Sequence, residues 1–197
     1  MFDDPLIWIL ILPGMLLGGI AQSRVKAAVA KYSRVPLGHG LTGAQAARYV
    51  LDARGLQNVR VEAVKGVLSD HYDPRGKVLR LSEAVYDVPS IAAAGIAAHE
   101  AGHAIQDADD YAPREFRSAI VPVVKAGSTA APLVFFGGLM IQSQPIMWSG
   151  ALMFGASSLF ALVTLPVEFD ASKRALKHLE GLGIIQPDAE MAGARNV

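Results

Sequence analysis

Residues 90–106 read SIAAAGIAAHEAGHAIQ, and the second half of that stretch holds His99-Glu100-Ala101-Gly102-His103. As a helix it sets His99 and His103 one turn apart on one face, with Glu100 beside them. Two imidazoles at that spacing can close on one metal ion, and the glutamate can take a proton from water activated there. Ser90 is a suitable N-cap, and Ile91 to Ala98 is apolar all round, as in a helix buried on every side. Gly102 stands in mid-helix, where glycine costs about 1 kcal/mol relative to alanine, so the position predicts close approach of another backbone. The bland alternative is a core helix whose histidines are satisfied by hydrogen bonds alone. The embedded glutamate weighs against it, because three polar side chains on an otherwise apolar helix all need partners.

Composition narrows the setting. The chain has 197 residues, 52% of them hydrophobic and only 18% charged. That is too apolar for an ordinary soluble domain and points to membrane spans. Eighteen basic residues balance eighteen acidic ones, so nothing suggests a nucleic-acid partner. Cysteine is absent, which removes disulfides, thiolate metal sites and cysteine nucleophiles together. A metal must therefore be held by histidine and carboxylate, and the histidines are His39, His71, His99, His103 and His178.

Three apolar runs are candidates for crossing a bilayer. Pro5 to Ala21 is uncharged and about 17 residues long, at the short end for a span. A cleaved signal peptide would want positive charge ahead of it, but Asp3 and Asp4 precede it and Arg24, Lys26, Lys31 and Arg34 follow. The bias predicts a retained span with its N-terminus outside and its basic side in the cytoplasm. Ile120 to Ile141 is the second run, interrupted by Lys125, and Ile146 to Val167 is a third of about 22 uncharged residues. Lys173, Arg174 and Lys177 then mark a return to the cytoplasm.

Between the first two runs the pattern changes. Gln22 to Ser33 predicts a basic continuation of the first helix, and Arg34 to Leu41 a loop in which His39 is solvated. Thr42 and Gln45 form a capping-box pattern, so Gly43 to Arg54 reads as a helix stopped by Gly55. Val59 to Val61, Val67-Leu68 and Val78 to Leu81 read as short strands, with a turn at Asp73-Pro74-Arg75-Gly76. A small sheet beside the histidine helix is the result expected.

A catalytic zinc generally has three protein ligands and one open position, so a third ligand must come from elsewhere. Glu168 is the best placed, where an apolar run meets water at the head of a helical segment. Its bland reading is a carboxylate at the helix or bilayer edge. Asp170 lies about 200° further round the helix and cannot share the metal, but it suits a pair with Arg174 one turn on. His71 is an alternative ligand, or with Tyr72 a stabiliser of the reaction's oxyanion, against a bland reading of both as hairpin-surface residues. His178 is a further candidate for either the ligand or the polarising role, but better suits an ordinary helix surface.

Three blocks carry a resemblance. His99-Glu-Ala-Gly-His103-Ala-Ile-Gln106, Asp70-His-Tyr-Asp-Pro-Arg-Gly-Lys-Val-Leu-Arg-Leu-Ser82 and Leu165-Pro-Val-Glu-Phe-Asp-Ala-Ser-Lys-Arg-Ala-Leu176 together look like the YugP-type neutral zinc metallopeptidases of bacterial membranes. The similarity runs from about Leu37 to the end of the chain. It implies one zinc ion held by His99, His103 and Glu168 on the gluzincin plan, with Glu100 as catalytic base. More distantly, the chain is similar to membrane proteases related to the CAAX prenyl endopeptidases. In that wider group an aspartate often follows the ligand glutamate by four residues; Ser172 stands there in this chain. Members of the YugP type tend to continue into another apolar segment after Glu190-Met-Ala-Gly-Ala-Arg195.

The expectation is thus a mainly α membrane protein with three transmembrane helices and a small α+β zincin-like catalytic domain, its short β-sheet beside the HExxH helix. Residues 1–22 form the first span, 23–117 the cytoplasmic catalytic region, 118–167 a two-helix transmembrane hairpin, and 168–197 the third-ligand helix and tail. The implied protein is a multi-pass cell-membrane endopeptidase, in a bacterial inner membrane, acting at the cytoplasmic face on membrane or membrane-adjacent proteins. The Lys77 to Ser82 strand, as an exposed edge, would bind substrate by strand addition. Two rivals are a non-proteolytic membrane scaffold or adaptor with a structural zinc site, and a reversible zinc carrier, which lacks the His-rich tract expected of one.

Overall fold

The computed structural model describes residues 5–186 and 189–196. Helices dominate it: α1 (Pro5–Tyr32), α2 (Gly43–Ala53), α3 (Glu83–Tyr86), α4 (Ile91–Ala108), α5 (Ala112–Met140), α6 (Gln144–Gly181) and α7 (Ala189–Asn196). Between α2 and α3 lie three strands, β1 (Arg60–Val64), β2 (His71–Asp73) and β3 (Val78–Ser82). The chain divides into two units, one of the described residues up to Ser23 with Ala112–Pro166, the other of Arg24–Tyr111 with Val167 onward.

The second unit is built on α4. Ser90 caps it, its Oγ accepting from the Ala93 N–H at 3.1 Å, a contact worth about 1 kcal/mol. The turn before it is anchored by Ile91 N–H to the Val35 carbonyl at 3.1 Å and Leu37 N–H to the Pro89 carbonyl at 3.0 Å. Every residue from Ile91 to Ala98 except the half-buried Ile96 is buried, as the apolar run predicts. Small side chains let neighbours come close. A Cβ added at Gly102 would stand 2.5 Å from the Ala171 carbonyl oxygen of α6, so the close backbone neighbour inferred from mid-helix glycine is α6. Ala46, Ala47, Val50 and Leu51 of α2, Leu79 and Leu81 of β3, and Leu179, Ile184 and Ile185 complete the core. The larger of these each contribute about 1.5–3 kcal/mol by leaving water.

α2 begins at the expected capping box, with Thr42 Oγ1 accepting from Gln45 N–H at 3.3 Å and Gln45 Oε1 accepting from Thr42 N–H at 2.9 Å. Gly55 follows in the left-handed region at φ 71°. The sheet order is β1-β3-β2, with β1 parallel to β3 and β2 antiparallel. Two sequence expectations change here. Val67-Leu68 is no strand, because Gly66 at φ 116° and Leu68 at φ 54° turn the chain out of extended conformation, and the strand forms at His71–Asp73 instead. β3 is hydrogen-bonded on both sides, so Lys77 to Ser82 is not an exposed edge; the edges are β1 and β2.

The other unit contains α5 and the first part of α6, packed through glycines. A Cβ at Gly150 would stand 2.5 Å from the Phe135 nitrogen, and one at Gly138 2.6 Å from the Met147 nitrogen, the close backbone approach that small residues permit between helices. Among the described residues two helices, α5 and α6, are long and apolar enough to cross a membrane, not the three expected. Their most apolar windows are only 11% and 17% buried, so they are not core helices. The expected first span, Pro5 to Ala21, forms the start of α1, but its side chains at positions 5, 7, 8, 10 and 11 lie outside the described residues. The expected boundary at residue 168 falls within α6, one residue from where the second unit resumes at Val167.

Candidate metal centre

The centre lies where α4 meets the later part of α6. His99 and His103, one turn apart, set their rings edge to face with centroids 4.8 Å apart. Their Nε2 atoms lie 3.1 and 3.4 Å from one oxygen, Glu168 Oε2. One ligand atom from each of the three residues falls within 4.8 Å of the others, and His103 is buried while His99 and Glu168 are half-buried.

What aims both imidazoles is the far side of each ring. His103 Nδ1 stands 3.0 Å from Gln106 Oε1, and His99 Nδ1 3.1 Å from Ser172 Oγ. The Gln106 amide cannot be turned round without loss, because its nitrogen donates to the Val167 carbonyl at 2.8 Å and to Asp170 Oδ2 at 2.9 Å. Its oxygen is therefore an acceptor, His103 Nδ1 donates to it, and His103 Nε2 faces Glu168, to which it donates when protonated and beside which it offers a lone pair to a metal when not. Two imidazole nitrogens and a carboxylate converging in this way suit zinc, and the outer hydrogen bonds supply the orientation such ligands need. Burial opposes a charge on His103 most strongly, but the hydrogen bond to Glu168 and the charges of Glu100 and Glu168 outweigh it and raise its pKa from the ordinary histidine value.

Glu100 is half-buried beside this group, and one of its oxygens, Oε2, accepts from the Tyr72 backbone N–H at 3.1 Å. Tyr72 is itself buried; its hydroxyl donates to Asp107 Oδ2 at 2.7 Å, where Lys77 Nζ also stands at 2.7 Å. His71 is exposed, with Nδ1 2.7 Å from the Ser69 carbonyl and Nε2 3.5 Å from Arg80 Nη1. Asp170 makes the pair with Arg174, at 2.5 Å, and in addition receives Gln106. Gln106 is the residue that sequence reasoning passed over. The signal was present, since a glutamine three residues after His103 shares its helix face, and one fully buried on an apolar helix must have partners.

A cleft of about 280 Å³ borders the site, with His99, Glu100 and Ser172 in its lining. The first is one of the three converging donors and the second the adjacent carboxylate, so the cleft borders the candidate centre.

A curated protein of Bacillus subtilis (strain 168), named "Putative membrane protease YugP", is 46% identical over 170 residues, which cover 86% of this chain and 76% of that protein. No solved structure matches the chain. The family described as "Putative neutral zinc metallopeptidase" matches residues 7–197, nearly the full length, and to that family the chain belongs.

Proposed function

We propose that the protein is a membrane-bound zinc endopeptidase with His99, His103 and Glu168 as metal ligands and Glu100 as general base. The observation that carries this is the convergence of both Nε2 atoms on Glu168 Oε2, at 3.1 and 3.4 Å, with a second carboxylate one residue from His99. Zinc held there supplies Lewis acidity, which polarises a carbonyl oxygen and makes water acidic enough to ionise near neutral pH. Glu100 takes the water proton on the oxygen that Tyr72 does not hold. The water oxygen bonds to the peptide carbonyl carbon, the C–N bond breaks, and Glu100 passes its proton to the leaving nitrogen. Tyr72 serves through its backbone N–H, fixing the base; its hydroxyl is turned to Asp107, which favours this over an oxyanion role. β2, as an edge strand adjoining Glu100, is the better candidate for pairing with an extended substrate.

The membrane part of the reading rests on α5 and α6. Arg24, Lys26, Lys31 and Arg34 after the first run, and Lys173, Arg174 and Lys177 after the last, are the charge bias that supports a cytoplasmic site. Substrates are then membrane or membrane-adjacent proteins, in keeping with the name of the Bacillus relative. A scaffold with a structural zinc would want a closed fourth ligand, whereas the converging donors among the described residues number three.

The deciding experiment compares proteolysis and zinc content of the purified full chain and Glu100→Gln. Zinc in both with cleavage by the wild type alone supports the proposal. Equal cleavage by both removes Glu100 as base, and a zinc-loaded wild type that cleaves nothing favours the scaffold.

A further inference from the structure

A second cavity, of about 250 Å³, lies against α6 and shares no lining residue with the cleft at the metal centre. Lys173, Arg174, Lys177 and His178 of α6 line it together with Arg54, the C-cap of α2. Two carboxylates stand among them, Asp109 and Asp170, and both are engaged. Asp109 holds Arg54 at 2.9 Å and also accepts from Arg174, while Asp170 holds Arg174 at 2.5 Å. Those pairs leave Lys173 and Lys177, both exposed, without an ion-pair partner among the described residues.

Four cationic side chains against two carboxylates leave the cavity positive. Lys173 and Lys177 are four residues apart on one helix face, a spacing at which like charges repel. The charge bias at the end of a membrane span accounts for cations along α6, but not for Arg54 brought from α2 to the same cavity. His178 reports the resulting field. It stands in the last turn of α6, beyond the apolar run that ends at Val167, where the helix dipole alone favours a cation. Its pKa is nevertheless lowered, by burial first and then by the charges of Arg54, Lys177 and Arg174. Three cations acting on one ring make a positive potential of the kind that gathers anions.

We propose that this cavity binds a phosphate group, with Lys173 and Lys177 as its direct contacts and Arg54 and Arg174 held beside it by their carboxylates. Two uncommitted ammonium groups suit phosphate, whose several oxygens accept from more than one donor at once. The group is either a free phosphate or the headgroup of an anionic lipid, which a basic cluster following an apolar helix also attracts. The assignment is independent of the peptidase reading.

The test follows the ring signals of the five histidines by NMR in the zinc-loaded full chain, with His178→Gln identifying the one concerned. Inorganic phosphate is added in phosphatidylcholine nanodiscs, against sodium chloride of equal ionic strength. Phosphate-free protein is then compared in nanodiscs of phosphatidylcholine and of an equal mixture with phosphatidylglycerol. The expected result is that His178 binds its proton about threefold or more tightly in at least one arm, beyond any change at the exposed His39 and His71. A rise with inorganic phosphate marks a free phosphate as ligand, and one confined to the mixed nanodiscs marks a lipid headgroup. In Lys173→Gln/Lys177→Gln the rise should be lost; the change on adding the anion is compared, because removing Lys177 itself moves the starting value. No rise in either arm overturns the proposal. So does a rise matched by chloride, shared equally by His39 and His71, or kept by the double variant.

Discussion

The side-chain oxygen of Gln106 stands 3.0 Å from His103 Nδ1 and so decides which nitrogen of that imidazole is left for a metal. Gln106 is held by the Val167 carbonyl and Asp170, both on α6, which also carries Glu168. Gln106→Leu keeps the volume and removes the acceptor. Zinc affinity, read by competition with a chromogenic chelator, should fall about 10- to 100-fold, the range for loss of a group that orients a ligating histidine. Retained affinity would mean that packing alone fixes the ring.

Gly102 and Gly181 make a paired prediction about where a methyl group fits. A Cβ at Gly102 meets the Ala171 carbonyl oxygen at 2.5 Å, three residues after Glu168, whereas one at Gly181 meets nothing within 4 Å. Gly102→Ala should therefore destabilise by about 1–3 kcal/mol despite alanine's better helix propensity, and should weaken zinc binding by shifting α6 from α4. Gly181→Ala should be neutral or stabilising by up to about 1 kcal/mol. Thermal melts of the two variants beside wild type check both signs at once.

Much of this was legible in the sequence because it is local. The Thr42–Gln45 capping box, the Ser90 cap and the all-round apolar face of α4 are short-range patterns with one physical solution. The resemblance led to the family. Sheet order was not legible, since Val78–Ser82 reads the same as an edge or a centre strand until its neighbours are known; four of its five residues are buried between β1 and β2. Nor was the displacement of the second strand, where a leucine at positive φ broke a run that β-propensity favoured. Asp170 shows a third limit. Its spacing from Arg174 gave the surface pair correctly, but its contact with Gln106, sixty-four residues earlier, depends on how α4 and α6 cross.

Removal of metal should be felt as a loss of stability localised at the α4–α6 contact. Zinc held by His99, His103 and Glu168, as proposed, would bind only their folded arrangement, so the wild type should melt higher with zinc than after chelation, by an amount that grows with free zinc. Glu168→Ala should melt at the same temperature with and without zinc, and equilibrium dialysis should find it empty. A Glu168→Ala protein that keeps full zinc would move the third ligand to another residue.

Acid should act through Asp109, which terminates α4 and accepts from Arg174 and, at 2.9 Å, from Arg54. The hydrogen bond from Arg174, helped by the charge of Arg54, holds its carboxyl below the usual value of 3.8. A carboxylate with a depressed folded pKa contributes stability that is fully present above the unfolded pKa and is lost as pH falls through the folded one. Asp109→Asn should therefore lower the melting temperature by a constant amount between about pH 5 and 8, and the difference should shrink below about pH 4. Because the pair is partly exposed and screened, the constant difference should be no more than about 3 °C. The measurement belongs on zinc-free protein, where protonation of the ligating histidines releases no metal. A difference that instead widened toward acid would mean that Asp109 is protonated more readily in the fold than out of it, and the Arg174 contact would have to be redrawn.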